Sequence, residues 1–264
     1  PAKKELLVSA DCHVLEPPDL WERRIEPKFR HRLPRVEVDT KGHKILTVEG
    51  ARPLRIRDFT LEGEDLERAK GGRSDLASRL YDLDRDGIDA EVIYPNRGLL
   101  MWASPDPAHQ TAMCKVWNDW AFDFVGPQKH RCAPVAAVAP KDVETAVKEV
   151  ERIAKIGYRT VFLPVQVQEQ PYNLPLYDPL WAAIQDTGMP ISFHVGTGKD
   201  PRTATGHGGA TINYVWHALA TAIEPVVQLC SSGVCERFPT LKFGTIEAGI
   251  GWLAWTLWVM GEGY

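Results

Sequence analysis

Asp11-Cys12-His13 carries the densest chemistry of the chain. It closes the apolar run Leu6-Leu7-Val8-Ser9-Ala10, which reads as a strand. On a strand, residues i and i+2 share a face, so Asp11 and His13 aim together and Cys12 aims away. A carboxylate and an imidazole converging at a strand end are hard-to-borderline ligands suited to a divalent metal. The tripeptide alone also fits a strand-end turn closed by an aspartate. His194 lies in Ser192-Phe193-His194-Val195-Gly196-Thr197-Gly198, an apolar strand running into a glycine-rich loop. It reads as a third ligand or as a core histidine. Glu247, in Ile246-Glu247-Ala248-Gly249-Ile250-Gly251-Trp252, ends another strand. It is either a carboxylate at a helix start or a site acid/base.

Other residues stand where a substrate would meet them. Asn96 and Arg97 follow the strand Asp89–Pro95, and Arg97 can grip a carboxylate with two parallel hydrogen bonds or simply be a solvated loop arginine. His207, within Thr205-Gly206-His207-Gly208-Gly209, reads as a lid or proton shuttle, or as an exposed loop residue. Trp252, just beyond Glu247, is assigned with them to substrate binding. His217 reads as packing. Cys12, facing away, is not taken as a nucleophile, and the chain has no serine nucleophile elbow.

These residues need a scaffold that brings strand ends together. The chain repeats a short β-rich run, a loop and an amphipathic helix, the pattern of parallel strands joined by crossovers. Strands are predicted at 89–95, 133–138, 160–165, 190–195 and 241–247, with helices around 106–125, 141–156, 176–187, 211–230 and after 247. With the first strand this makes six β/α units. The first is interrupted by an insertion at about 16–74, in which 35–39 and 44–48 form a small hairpin outside the main sheet. The helix of that unit is then 75–86. No G-x-G-x-x-G follows the first strand, which disfavours a dinucleotide fold. Polar residues at the ends of different strands are the habit of catalytic barrels. The expected fold is therefore an α/β (β/α)8 TIM barrel, a single domain over 1–264 truncated at its C-terminal end.

Composition narrows the function classes. A net charge of −4 gives no electrostatic reason to expect nucleic acid or an anionic membrane as partner. No stretch is long and apolar enough to span a bilayer, and the start has no signal-peptide core. Five cysteines without C-x-x-C spacing fit free thiols in a reducing cytoplasm better than a disulfide framework. Trp252, Trp255 and Trp258 recur every three residues, which places a helix face in a core or an interface. The expected partners are a small-molecule substrate and a second copy of the chain.

Several motifs together resemble the amidohydrolase-related metal-dependent hydrolases, the group that includes aminocarboxymuconate-semialdehyde decarboxylase. They are Asp11-Cys12-His13 with Glu16-Pro17-Pro18 and Leu20-Trp21, then Asp84-x-Asp86-Gly87-Ile88-Asp89-Ala90 and Tyr177-Asp178-Pro179-Leu180-Trp181. Phe193-His194-x-Gly196-Thr197-Gly198 follows, and Phe238-Pro239-x-Leu241-Lys242-Phe243 leads to Glu247-x-Gly249-x-Gly251-Trp252. The resemblance implies a (β/α)8 barrel with one catalytic divalent metal. Zinc is the expected ion, with manganese or iron(II) as alternatives. By position it makes Asp11, His13 and His194 metal ligands. The family's last ligand, an aspartate of strand eight, falls beyond this sequence. Decarboxylases of the group carry a histidine near where this chain has Glu247. The first expectation is thus a metal-dependent hydrolase of a small, carboxylate-bearing substrate, using a metal-activated water with Glu247 and His194 as catalytic groups. The alternative is non-oxidative decarboxylation of an aromatic or muconate-type acid. A barrel that binds without catalysing is the third possibility.

Overall fold

The computed structural model describes residues 5–56, 60–64, 66–67, 69, 75–167, 169–198, 202 and 204–263. Its contacts divide into two compact units, Pro1–Val135 and Ala136–Tyr264.

The first unit is built on three parallel strands in the order β1 (Val8–Val14), β5 (Ala90–Pro95) and β6 (Cys132–Pro134). Asp11 and His13 therefore lie inside β1, not beyond its end. Val8 and Ser9 pair with Ala90 and Glu91, whereas Cys12, His13 and Val14 pair with Ile93, Tyr94 and Pro95. Three steps on β1 thus match two on β5, a bulge at Ala10-Asp11 that re-aims the side chains around it. The helix Leu76–Asp86 begins where Asp75 accepts a hydrogen bond from Ser78 N at 2.8 Å and stops at Gly87, whose φ of 72° only glycine adopts without strain. The helix Pro107–Val125 starts on Asp106, which accepts from Ala108 N, with proline at its first position. Trp117 on this helix is wholly buried and donates its indole N–H to Val135 O at 2.9 Å.

The insertion forms its own antiparallel sheet, as the sequence suggests: β2 (Arg35–Val38), β3 (Lys44–Thr47) and a short β4 (Leu54–Arg55). It is anchored by Arg32. That guanidinium donates twice to Glu49, at 2.7 Å each, and once to Asp106 at 2.5 Å. These bonds hold both carboxyls below the ordinary carboxylate range. A depressed folded-state pKa contributes stability that is present above the unfolded pKa and lost as pH falls through the folded one. Acidification from pH 7 to 3 should therefore lower the melting midpoint less in Arg32→Met than in the parent. Parallel melting-versus-pH curves for the two proteins would contradict this.

The second unit has four parallel strands in the order β10 (Phe243–Ile246), β9 (Ile191–His194), β8 (Val161–Pro164) and β7 (Ala136–Ala137). Every residue of β8 and β9 is buried, which explains their near-continuous apolar sequence in place of alternation. Helix Val143–Ile156 is capped by Asp142, which accepts from Thr145 N, a contribution of about 1 kcal/mol. It ends on Gly157 at φ 103°, and helix Asp178–Thr187 ends on Gly188 at φ 69°.

The predicted helix 211–230 is interrupted. An α-helical start (Gly209–Tyr214) passes through a π-turn (Val215–Leu219) and a 3-10 turn (Ala220–Ile223) before helix Glu224–Ser231. Pro225 lies at the first turn of that last helix, where its missing N–H costs least. The tryptophan helix is Trp252–Glu262, but its side chains do not pack as a core face: Trp255 and Trp258 are each 61% exposed. With the hairpin set aside, the six β/α units occur in the predicted order, an α/β fold of the TIM-barrel kind. Among the described residues, no helix is long and apolar enough to cross a membrane.

Candidate functional site

In the first unit, β1 and β5 bring Asp11 and His13 together. His13 Nε2 lies 3.5 Å from Asp11 Oδ1, and both side chains are about two-thirds buried. The other ring nitrogen, Nδ1, is 2.8 Å from Pro95 O. A carbonyl oxygen only accepts, so Nδ1 carries the proton and the neutral ring's lone pair sits on Nε2, facing the carboxylate.

The turn beyond β1 reinforces this placement. Glu16 is buried, and its carboxylate accepts three backbone N–H bonds, from Asn96 (3.0 Å), Arg97 (3.0 Å) and Gly98 (2.9 Å). Burial pushes its carboxyl above the ordinary range, against the downward pull of those three donors. Gly98 is required here. A Cβ at that position would sit 2.7 Å from Pro95 Cβ and 3.1 Å from Glu16 Oε1. His13 near the end of β1 and Glu16 in the turn just past it therefore clasp the same short segment, residues 95–98. Sequence reasoning noted Glu16 only within the Glu16-Pro17-Pro18 run. The signal available was a carboxylate just past the strand bearing the ligand pair.

In the second unit, β9 pairs His194 with Ile246 of β10, which puts Glu247 beside His194. His194 is fully buried, and its Nε2 is 3.8 Å from Glu247 Oε2. Its Nδ1 bonds Val195 O at 2.7 Å, so again the lone pair is on Nε2 and points at a carboxylate. Thr197 pins the strand ends. Its hydroxyl donates to His194 O at 2.7 Å and accepts from Val165 N at 3.0 Å. Gly198 follows because a Cβ there would lie 2.4 Å from Gln166 O.

Glu247 does not behave as a helix-start carboxylate. Helix Trp252–Glu262 begins five residues later, behind Gly251 at the cap position and without a side-chain cap. Its side chain is 51% exposed, and the nearby Ile250 is 71% exposed. Its backbone has φ 61°, a left-handed conformation that costs a non-glycine residue about 1–2 kcal/mol.

The remaining candidates are less engaged. Asn96 is exposed, and both Asn96 and Arg97 contribute backbone N–H groups to Glu16. His207 is exposed, Trp252 donates its indole N–H to Gly249 O within its own turn, and His217 is bonded to Asn213 at 2.9 Å. Cys12 sits 3.1 Å from Ser9 Oγ, and burial pushes its thiol up to about 11, in keeping with no nucleophilic part.

Each unit thus presents one imidazole Nε2 against one carboxylate. A neutral Nε2 lone pair and an ionised oxygen at 3.5–3.8 Å repel unless a positive charge lies with them, either a ring proton or a cation. In each unit an imidazole nitrogen beside a carboxylate, with the ring oriented through Nδ1, is a donor pair of the kind that suits a divalent zinc, manganese or iron(II) ion.

Comparisons with known proteins bear on the family and the fold. A gamma-resorcylate decarboxylase of Polaromonas sp. (strain JS666) is 25% identical over 201 residues, 70% of this chain. The chain spans 61% of the length of that curated relative. An amidohydrolase from Mycobacterium avium subsp. paratuberculosis K-10 superposes with a TM-score of 0.78 at 19% identity, covering 99% of this chain and 77% of its own. A 5-carboxyvanillate decarboxylase from Novosphingobium aromaticivorans, with bound manganese and 3-methoxy-4-hydroxy-5-nitrobenzoic acid, gives 0.66 at 16% identity, covering 98% and 71%. The amidohydrolase family profile matches residues 10–263, nearly the whole sequence, and the chain belongs to that family.

Proposed function

We propose that the protein is a divalent-metal-dependent carboxy-lyase that removes the carboxylate of a small aromatic acid without oxidation. This reverses the order of the two readings taken from sequence, which put hydrolysis first. The observation that carries the change is the likeness to a gamma-resorcylate decarboxylase. A 5-carboxyvanillate decarboxylase of the same fold adds to it. Asp11, His13 and His194 would hold the metal, with Glu247 beside His194. When bound, the ion supplies positive charge to the oxygens of an acid substrate. Zinc is our first choice; the manganese in the 5-carboxyvanillate decarboxylase makes that ion the alternative.

The chain's own residues have three tasks. The Nδ1–H bonds to Pro95 O and Val195 O fix both imidazole rings, so that each Nε2 stays directed. Glu16 and Thr197 hold the strand ends that carry them. The reaction takes one proton onto the ring carbon as the bond to the carboxylate carbon breaks, giving the arene and carbon dioxide. Glu247 is the group we assign to that proton, since its carboxyl is half exposed. The five free thiols fit a cytoplasmic enzyme, and a second copy of the chain remains the expected partner.

The test is product analysis. Protein supplied with zinc or manganese and offered ortho-hydroxylated benzoates should release carbon dioxide in step with arene formation. Release from none of a panel, together with turnover of amides, esters or lactones, would overturn the assignment. It would return the hydrolase reading, which Glu247 favours because a carboxylate base suits water activation.

A further inference from the structure

A second reactive feature lies outside the histidine–carboxylate pairs. In the second unit, Cys230 Sγ and Cys235 Sγ are 4.0 Å apart. Cys230 sits near the end of helix Glu224–Ser231, and Cys235 on the short helix Val234–Arg237. Ser232 and Gly233 join the two helices, and Gly233 takes the left-handed φ of 73° that lets the chain reverse there. Arg237 holds the turn, donating to Ser232 O at 2.8 Å and to both carboxylate oxygens of Asp178 at 2.9 and 3.1 Å. Cys235 is exposed and Cys230 half-buried, whereas Cys114 and Cys132 are buried.

We infer that Cys230 and Cys235 form a reversible disulfide when the protein meets a peroxide, a modification site separate from the proposed reaction. The geometry is close to what the bond needs. A disulfide sets its sulfurs about 2.05 Å apart, so the two must approach by roughly 2 Å, which side-chain rotation on either side of a glycine hinge can supply. The order of events follows from exposure. The Cys235 sulfur attacks a peroxide oxygen, the O–O bond breaks, and Cys235 becomes a sulfenic acid as water leaves. The Cys230 sulfur then displaces the sulfenic oxygen, which departs as a second water carrying the Cys230 proton. Both sulfurs are oxidised by one electron each, and one peroxide is reduced to two waters. A dithiol reductant reverses the step by exchange. Burial and the neighbouring thiol push Cys230 up to about 11, so it suits the resolving part better than the attacking one.

The experiment treats the protein with hydrogen peroxide, denatures it, counts free thiols and measures the intact mass. The parent should drop from five titratable thiols to three, the five cysteines less the bridged pair. Its mass should fall by two hydrogens, a peptide should join Cys230 to Cys235, and dithiothreitol should restore all thiols. Cys235→Ser, a change at an exposed position, should abolish the mass loss and leave Cys230 reduced or carrying an added oxygen. Full retention of thiols overturns the inference. So does stepwise oxygen addition without a bridge, a covalent dimer through Cys235, or an unchanged bridge count in Cys235→Ser.

Discussion

Glu16→Ala should destabilise the protein by about 3 kcal/mol or more, because it strands the backbone N–H groups of residues 96–98 that now share one carboxylate. Each buried donor left without an acceptor costs on the order of 1–3 kcal/mol. Gly98 is buried, so its N–H has no ready water, while Asn96 is exposed and recovers some of the loss. The effect should reach the metal ligand. His13 is steered by Pro95 O, the residue immediately before that segment. A loosened 95–98 turn frees the imidazole to rotate, and lost outer partners of metal ligands commonly lower metal affinity by about 10- to 100-fold. Glu16→Gln keeps the shape but turns one acceptor into a donor facing N–H groups, so it should fall between the parent and Glu16→Ala. Chemical denaturation and a zinc titration on the three proteins check this. A Glu16→Ala protein within 1 kcal/mol of the parent would show that water replaces the carboxylate and that Glu16 positions nothing.

Much of this was written in the sequence, and the parts that were not have physical causes. Period and punctuation placed the helices: Asp142 with Gly157, and Asp75 with Gly87, bound elements whose ends match the expectation to within two residues. Buried strands such as Val161–Pro164 were recognisable because both faces are covered, which makes the run apolar throughout. The His194–Glu247 approach was legible as two strand ends, since parallel in-register pairing of β9 and β10 needs nothing beyond element order. The β1 bulge was not legible. Alternation gave the right shared face for Asp11 and His13, but an inserted residue is set by pairing to β5, which a single strand cannot reveal. The break in 209–231 escaped for a similar reason. Pro225 marks the start of helix Glu224–Ser231, but nothing in the residues before it marks the π-turn, which only the path of the backbone distinguishes from an α-turn. Glu16 was hidden because its partners are backbone groups, which leave no residue signature except Gly98. Burial was the weakest inference: regular tryptophan spacing defines a face without saying what covers it, and Trp255 and Trp258 are open.

Glu247→Gln should lower kcat by about 10²-fold or more while leaving the fold intact, the usual scale for loss of a group that moves the proton. The substitution keeps the shape and removes the charge 3.8 Å from His194 Nε2. Metal content separates two routes to the same loss. Unchanged metal with low kcat assigns Glu247 to the proton; parallel loss of both assigns it to the ion. A second variant excludes a merely structural part. Glu247 occupies φ 61°, where glycine is unstrained and a side chain costs about 1–2 kcal/mol. Glu247→Gly relieves that strain, offset in part by the greater freedom glycine adds to the unfolded chain. Its stability should therefore match or slightly exceed the parent's while its activity falls at least as far as in Glu247→Gln. Such opposed changes are expected where a chain keeps a strained backbone for the sake of one side chain. If Glu247→Gly instead turns over substrate at the parent rate with the parent's metal content, the carboxylate takes no part in the chemistry, and the proton must come from another group or from water.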